Sequence, residues 1–117
     1  MKPVRIILID DAKEAFEQLN KIVGEQAGKK NTEEMQLLHS IKQKSELIKA
    51  NPFYGDNIQK QLIPKKYGVQ NLWRVELTSY WRMIYTIKGD QVEIVCFVLE
   101  IIDHKTYDKQ FGYRKKR

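Results

Sequence analysis

Residues 71–107 read Asn71-Leu-Trp-Arg-Val-Glu-Leu-Thr-Ser-Tyr80-Trp-Arg-Met-Ile-Tyr-Thr-Ile-Lys-Gly-Asp90-Gln-Val-Glu-Ile-Val-Cys-Phe-Val-Leu-Glu100-Ile-Ile-Asp-His-Lys-Thr-Tyr107, and their alternation decides the fold. Successive side chains of a strand point to opposite faces, so Trp73, Val75 and Leu77 share one side while Arg74, Glu76 and Thr78 share the other. Trp81, Met83, Tyr85 and Ile87 then alternate with Arg82, Ile84, Thr86 and Lys88. Gly89-Asp90 is a two-residue hairpin signal. It predicts that Ile87 pairs with Val92, Tyr85 with Ile94, Met83 with Cys96 and Trp81 with Val98, which joins the large apolar side chains into one face. Arg82 is left on the opposite face.

Toward the N-terminus, Val4 to Ile9 is short, β-branched and apolar, and reads as a strand ending at Asp10-Asp11. Asp11 with Glu14 has capping-box spacing. Ala12, Ala15, Phe16, Leu19, Ile22 and Val23 follow at helical intervals up to Gly24 or Gly28. Asn31 with Glu34 repeats the cap signal before a second stripe of Met35, Leu38, Ile41 and Ile48. The short break between the stripes implies an antiparallel helical hairpin. Asn51-Pro52 ends the second helix, because a residue before proline is pushed out of the α region. Pro52 to Gln70 reads as loop or short irregular structure.

Both helical stripes need a surface to cover, and the apolar sheet face is the only large one available. The prediction is an α+β domain: a small curved antiparallel sheet with an N-terminal helical hairpin packed on one face, and a short C-terminal helix from Asp103 to about Phe111. Residues 1–113 form the single domain and residues 114–117 a basic tail. There is no internal repeat.

With 117 residues, 42% of them hydrophobic, the chain buries one modest core. Cys96 is the lone cysteine, so no intramolecular disulfide forms and no thiolate cluster holds a structural metal. No stretch is long and apolar enough for a membrane span or a signal-peptide core, and the expected location is cytoplasmic. The net charge of +6 is uneven, since residues 103–117 carry six Lys or Arg against two acids. A basic patch attracts polyanions by counterion release, which makes nucleic acid or the ribosome the leading partner class. For Arg114-Lys115-Lys116-Arg117 taken alone, a solvated tail is an equal reading.

The chain resembles the RelE/ParE toxin superfamily, and specifically a RelE-like toxin of a type II toxin–antitoxin pair. The resemblance spans nearly the whole chain: the opening strand and hairpin, Asn51-Pro52-Phe53-Tyr54-Gly55, Leu72-Trp73-Arg74-Val75, Tyr80-Trp81-Arg82-Met83-Ile84-Tyr85, and His104-Lys105-Thr106-Tyr107. It implies an mRNA endoribonuclease that works in the ribosomal decoding site, inhibits translation and is silenced by a cognate antitoxin protein. The ParE branch shares the fold but poisons DNA gyrase, so the activity has to be argued from the site.

Cutting RNA without a metal or cofactor needs a base for the ribose 2′-OH, cations for the phosphate and an acid for the departing 5′ oxygen. Arg82 suits the phosphate through its planar fork, and matches the arginine that RelE-like enzymes carry in this strand. The alternative is a sheet arginine paired with Glu93 or stacked on Phe97. Arg74 resembles a basic position of the family's catalytic surface. Glu76 departs from the family pattern, where a second cation is usual, and beside Arg74 it either accepts a proton or neutralises the site. Histidine is the side-chain type suited to acid/base work, and the i,i+3 spacing of His104 from Tyr107 puts an acid/base and a phenol on one edge of the last helix. The alternative is His104 capping that helix and Tyr107 packing on the sheet.

Lys65, Lys66, Lys105 and Lys109, with Arg114, Lys115, Lys116 and Arg117, are candidate contacts to RNA or ribosome, or else solvated cations. Phase assigns Trp73, Trp81 and Tyr85 to the core and Phe97 to the Arg82 face. His39, with no ligand-type neighbour, is not a metal ligand, and Cys96 is inert core. The alternative function is a non-catalytic member of the same fold, either a gyrase poison or an inactive antitoxin-binding relative.

Overall fold

A computed structural model describes residues 2–112. The predicted strand comes first, as β1 (Val4–Leu8), and runs directly into α1 (Asp10–Gly24), which pairs with α2 (Glu33–Ala50) as the expected hairpin. Three strands then form the body of a five-stranded sheet: β3 (Trp73–Glu76), β4 (Trp81–Gly89) and β5 (Ile94–Asp103), numbered after a two-residue edge strand β2 (Asp56–Asn57). The helix α3 (His104–Phe111) follows β5. The sheet order is β1-β5-β4-β3-β2. All neighbours are antiparallel except β1, which lies parallel to β5, so the expected antiparallel sheet gains one parallel edge. Val4, Ile6 and Leu8 lie beside Ile94, Cys96 and Val98 in that pairing, so β1 widens the face the hairpin covers.

The alternation reading is correct about faces and wrong about register. Ile87 pairs with Cys96 and Tyr85 with Val98, not with Val92 and Ile94. The turn is longer than two residues because the Asp90 carboxylate accepts hydrogen bonds from Val92 N (2.7 Å) and Glu93 N (2.8 Å), and Asp90 N donates to Glu93 O. An aspartate that binds the backbone ahead of it builds its own turn. From the turn to Tyr85 the pairing moves by an even number of residues, so these side chains keep their faces. Beyond Tyr85 a bulge inserts Leu99: Ile84 faces Glu100 and Met83 faces Ile101.

Both predicted helix caps are corrected. No side chain caps α1; Ala12 N and Lys13 N donate instead to Ile9 O, and the Asp11–Glu14 box does not form. The cap of α2 is Thr32, whose Oγ1 accepts from Met35 N at 3.1 Å and donates to Gln26 Oε1 at 2.7 Å. Asn31 sits one residue too early, at φ +56°, a turn conformation that asparagine tolerates. Asn51 ends α2 as expected, and its Oδ1 accepts from Phe53 N.

The core is two-sided. Ala12, Leu19, Leu37, Ile41 and Ile48 of the hairpin pack on Val75, Leu77, Met83, Tyr85, Cys96, Val98 and Ile101. On the other side, Ile58, Leu72, Ile84, Leu99, Tyr107 and Phe111 form a second cluster with Tyr67 and Phe97 at its margin. The side expected to be free of helices is therefore covered by α3 and by the chain between residues 58 and 72. That stretch contains short helical turns at Lys60–Leu62 and Lys65–Tyr67.

Candidate functional site

Strand phase puts Arg74 on β3 and Arg82 on β4 on the side away from the hairpin, and α3 brings an aromatic ring to both. Tyr107 is fully buried, stacked on Phe111 at 4.4 Å between centroids. Arg82 lies 4.7 Å and Arg74 5.5 Å from the Tyr107 ring centroid, a distance at which the ring quadrupole attracts a cation. Arg74 Nη1 also donates to the Tyr107 hydroxyl at 3.2 Å. The two expected roles of Tyr107, packing on the sheet and serving the site, are thus one arrangement. Glu93 takes no part, being the partner of Arg5 at 2.9 Å, and the ring beneath Arg82 is Tyr107 rather than Phe97.

Arg74 is positioned from behind by a close backbone approach. A Cβ on Gly55 would stand 2.7 Å from Arg74 O and 2.9 Å from the Tyr85 hydroxyl. Gly55 N donates to that hydroxyl at 3.0 Å, and the hydroxyl donates to Pro52 O at 2.7 Å. Burial holds the Tyr85 phenol protonated, its pKa pushed up to about 12.

Three carboxylates surround the arginines. Asp56 Oδ2 is 3.6 Å from Arg74 Nε, Glu76 Oε2 is 3.6 Å from Arg82 Nη2, and Asp108 Oδ1 is 4.0 Å from Arg82 Nη1. Glu76 is the residue directly across from Arg82 in the sheet. The Arg82 side chain is 17% exposed and Glu76 66%, so the carboxylate stands largely in solvent and the guanidinium is mostly enclosed. Arg82 Nε and Nη1 are buried with no hydrogen-bond partner among the described residues. Such donors cost free energy until an acceptor reaches them.

His104 opens α3 and is exposed; Asp103, not His104, is the cap, accepting from Thr106 N at 2.8 Å. That hydrogen bond holds the Asp103 carboxyl below the usual carboxylate range. His104 Nδ1 lies 3.5 Å from Asp108 Oδ2, so Asp108 stands between the imidazole and Arg82. The guanidinium groups converge on one ring, with the imidazole one carboxylate away. Asp108 was readable as the i+4 partner of His104; Asp56, in a segment read as loop, carried no such signal.

The lysines divide. Lys65, Lys105 and Lys109 are exposed. Lys66 is 3.3 Å from the buried carboxylate of Glu100, whose Oε2 also lies 3.0 Å from the Tyr67 hydroxyl. That hydroxyl is 2.9 Å from Gln110 Oε1, and its pKa is raised chiefly by burial and by Glu100. Lys66 therefore joins a network that ties the covering segment to β5 and α3. Arg114, Lys115, Lys116 and Arg117 lie outside the described residues. Cys96 is buried, and burial pushes its thiol up to about 11. Among the described residues no group of three His, Cys, Asp or Glu side chains is placed to hold a metal ion, and no helix is long and apolar enough to cross a membrane.

An α1–α2 hairpin on one face of a five-stranded sheet, with a C-terminal helix closing the other, is the fold of the RelE/ParE-like toxins. Among solved structures, a YoeB/ParE toxin from Agrobacterium tumefaciens superposes with a TM-score of 0.57 over 86% of this chain and 98% of that chain, at 15% sequence identity. No protein-family model matches the chain, and no curated sequence does.

Proposed function

We propose that this chain is the toxin of a type II toxin–antitoxin pair, an mRNA endoribonuclease that acts at the ribosome and blocks translation. The observation that carries the reading is the pair of guanidinium groups held over one buried tyrosine, beside an exposed His–Asp pair. Arg82 receives the scissile phosphate: its buried donors lack acceptors, and exposed Glu76 yields to phosphate oxygens, which the guanidinium fork accepts in bidentate fashion. His104, its Nδ1 side turned to Asp108, takes the ribose 2′-OH proton through Nε2. The 2′ oxygen attacks phosphorus, the bond to the 5′ oxygen breaks, and a proton passes to that oxygen. The products are a 2′,3′-cyclic phosphate and a 5′-hydroxyl. Tyr107 is fully buried and so orients Arg74 and Arg82 rather than donating a proton.

The superposition on a YoeB/ParE toxin supports the reading at the level of fold. The expected partners are mRNA, the ribosome and a cognate acidic antitoxin that masks the basic residues; the expected compartment is the cytoplasm. Expression without antitoxin, followed by sequencing of transcript ends, tests it. Wild type gives new 5′-hydroxyl ends, and Arg82→Ala lowers their yield by roughly 100-fold or more, the scale of losing one charge-stabilising donor. Intact transcripts with folded wild-type protein refute the nuclease.

The second reading, a non-catalytic relative that poisons gyrase or only binds an antitoxin, is favoured by the three carboxylates already within 4.0 Å of the two arginines. Under it, Arg82→Ala still arrests growth, and a supercoiling assay separates the gyrase case.

A further inference from the structure

The turn from β3 to β4 places an aromatic side chain where the backbone resists one. Leu77 N donates to Trp81 O across the turn Thr78–Tyr80, and within it Ser79 (φ +56°) and Tyr80 (φ +65°) are both left-handed. Glycine or asparagine serves such positions without strain, and a tyrosine there is unfavourable. Burial does not offset the cost, because Tyr80 is 81% exposed, more than any other exposed large hydrophobic among the described residues. A strained residue with so little burial points to function rather than to folding.

Its surroundings give that function a chemistry. Tyr80 lines a cavity of about 410 Å³ together with Glu76 and Arg82. Its ring centroid stands 6.0 Å from that of His104, tilted by 44°. A guanidinium, an open cavity and an exposed ring at its rim, with a second exposed ring on His104 beside it, are what an unpaired nucleotide requires. We propose that Tyr80 is a base-stacking residue, whose ring receives the face of a single-stranded RNA base while Arg82 holds the adjoining phosphate. The inference rests on the nuclease reading and adds to it the element that grips the base. Every base offers a π-face, so Tyr80 sets affinity and the position of the cut more than sequence preference.

The test is binding of a short single-stranded 2′-O-methyl RNA carrying 2-aminopurine, which lacks the 2′-OH and cannot be cut. Affinity is read by anisotropy and stacking by quenching of the 2-aminopurine. Tyr80→Ala is expected to weaken binding by about 5- to 150-fold, the range for one base–aromatic stack, and to abolish quenching. Tyr80→Phe, which keeps the ring, restores both relative to Tyr80→Ala. Tyr80→Gly raises Tm by relieving the left-handed backbone yet binds as weakly as Tyr80→Ala. Equal affinity and quenching in wild type and Tyr80→Ala overturn the proposal. If Arg82→Ala weakens binding in the same series while Tyr80→Ala does not, stacking alone fails and the nuclease surface stands. If Arg82→Ala leaves affinity unchanged, the surface itself is wrong and the stacking proposal falls with it.

Discussion

The two faces of the sheet are built on different principles. Toward the hairpin, two regular helices lay largely aliphatic stripes on a strand face of aliphatic and aromatic residues, Val75, Met83, Tyr85 and Val98 among them. Toward α3, the cover is an irregular segment and one short helix, and among the apolar residues of that layer stand tyrosines, a buried glutamate and two arginines. Burial drives assembly on the first face; on the second, each polar group needs a named partner. The arginines of the candidate site thus lie on the face with the irregular cover, away from the hairpin helices.

Substitutions that break this division rank by size. Ile48→Ala on the hairpin side leaves a cavity and is expected to cost about 2–5 kcal/mol, read by denaturant unfolding, while the activity per folded molecule stays at wild type. Gly55→Ala forces a Cβ onto Arg74 O; it costs about 1–3 kcal/mol through strain. Unlike Ile48→Ala, it also lowers activity, because Arg74 moves with its strand. Tyr67→Phe removes the hydroxyl beside Glu100 and is expected to cost about 1.5 kcal/mol, the lower end for a bond to a charged group; the loss shows as faster amide exchange in α3 with the hairpin helices unchanged. Asp103→Ala deletes the α3 cap at about 1 kcal/mol. The same cap gives a pH dependence. The folded carboxyl titrates below its unfolded value, so its contribution is complete above the ordinary carboxylate range and is lost as pH falls through the depressed one. Wild type and Asp103→Ala should therefore converge in stability at acid pH.

The hairpin face was legible in the sequence because periods of 3.6 and 2 report burial directly: Ala12, Leu19, Ile41 and Ile48, and Trp73 through Ile87, fell where phase put them. Strand pairing was not, because Asp90 lengthens its turn by hydrogen bonds that no hydropathy pattern records, and because Leu99 is an inserted bulge. Up to Tyr85, faces survived the error because the offset there was even. The second face was nearly opaque. Its cover between residues 58 and 72 has no period, and Glu100 in an apolar run reads as exposed until Lys66 and Tyr67 are seen to satisfy it. In the candidate site, Arg74, Arg82 and Tyr107 were found from phase and resemblance, and the structure brings them together. Asp56 was missed because its role depends on where a loop folds back, and Asp108 because only its helical spacing from His104 marked it. Tyr80 was missed because strain is a property of dihedral angles, which composition does not carry.

The parallel edge has a kinetic consequence. β1, made early, can complete its ladder only against β5, made late, so sheet closure waits on contacts of very long sequence separation and the loop-closure entropy they carry. Until β5 arrives, the hairpin helices have little to cover and the arginines have no tyrosine beneath them. Until β5 and α3 have both been made, Arg74 and Arg82 have neither the neighbouring strand nor the Tyr107 ring they lie against.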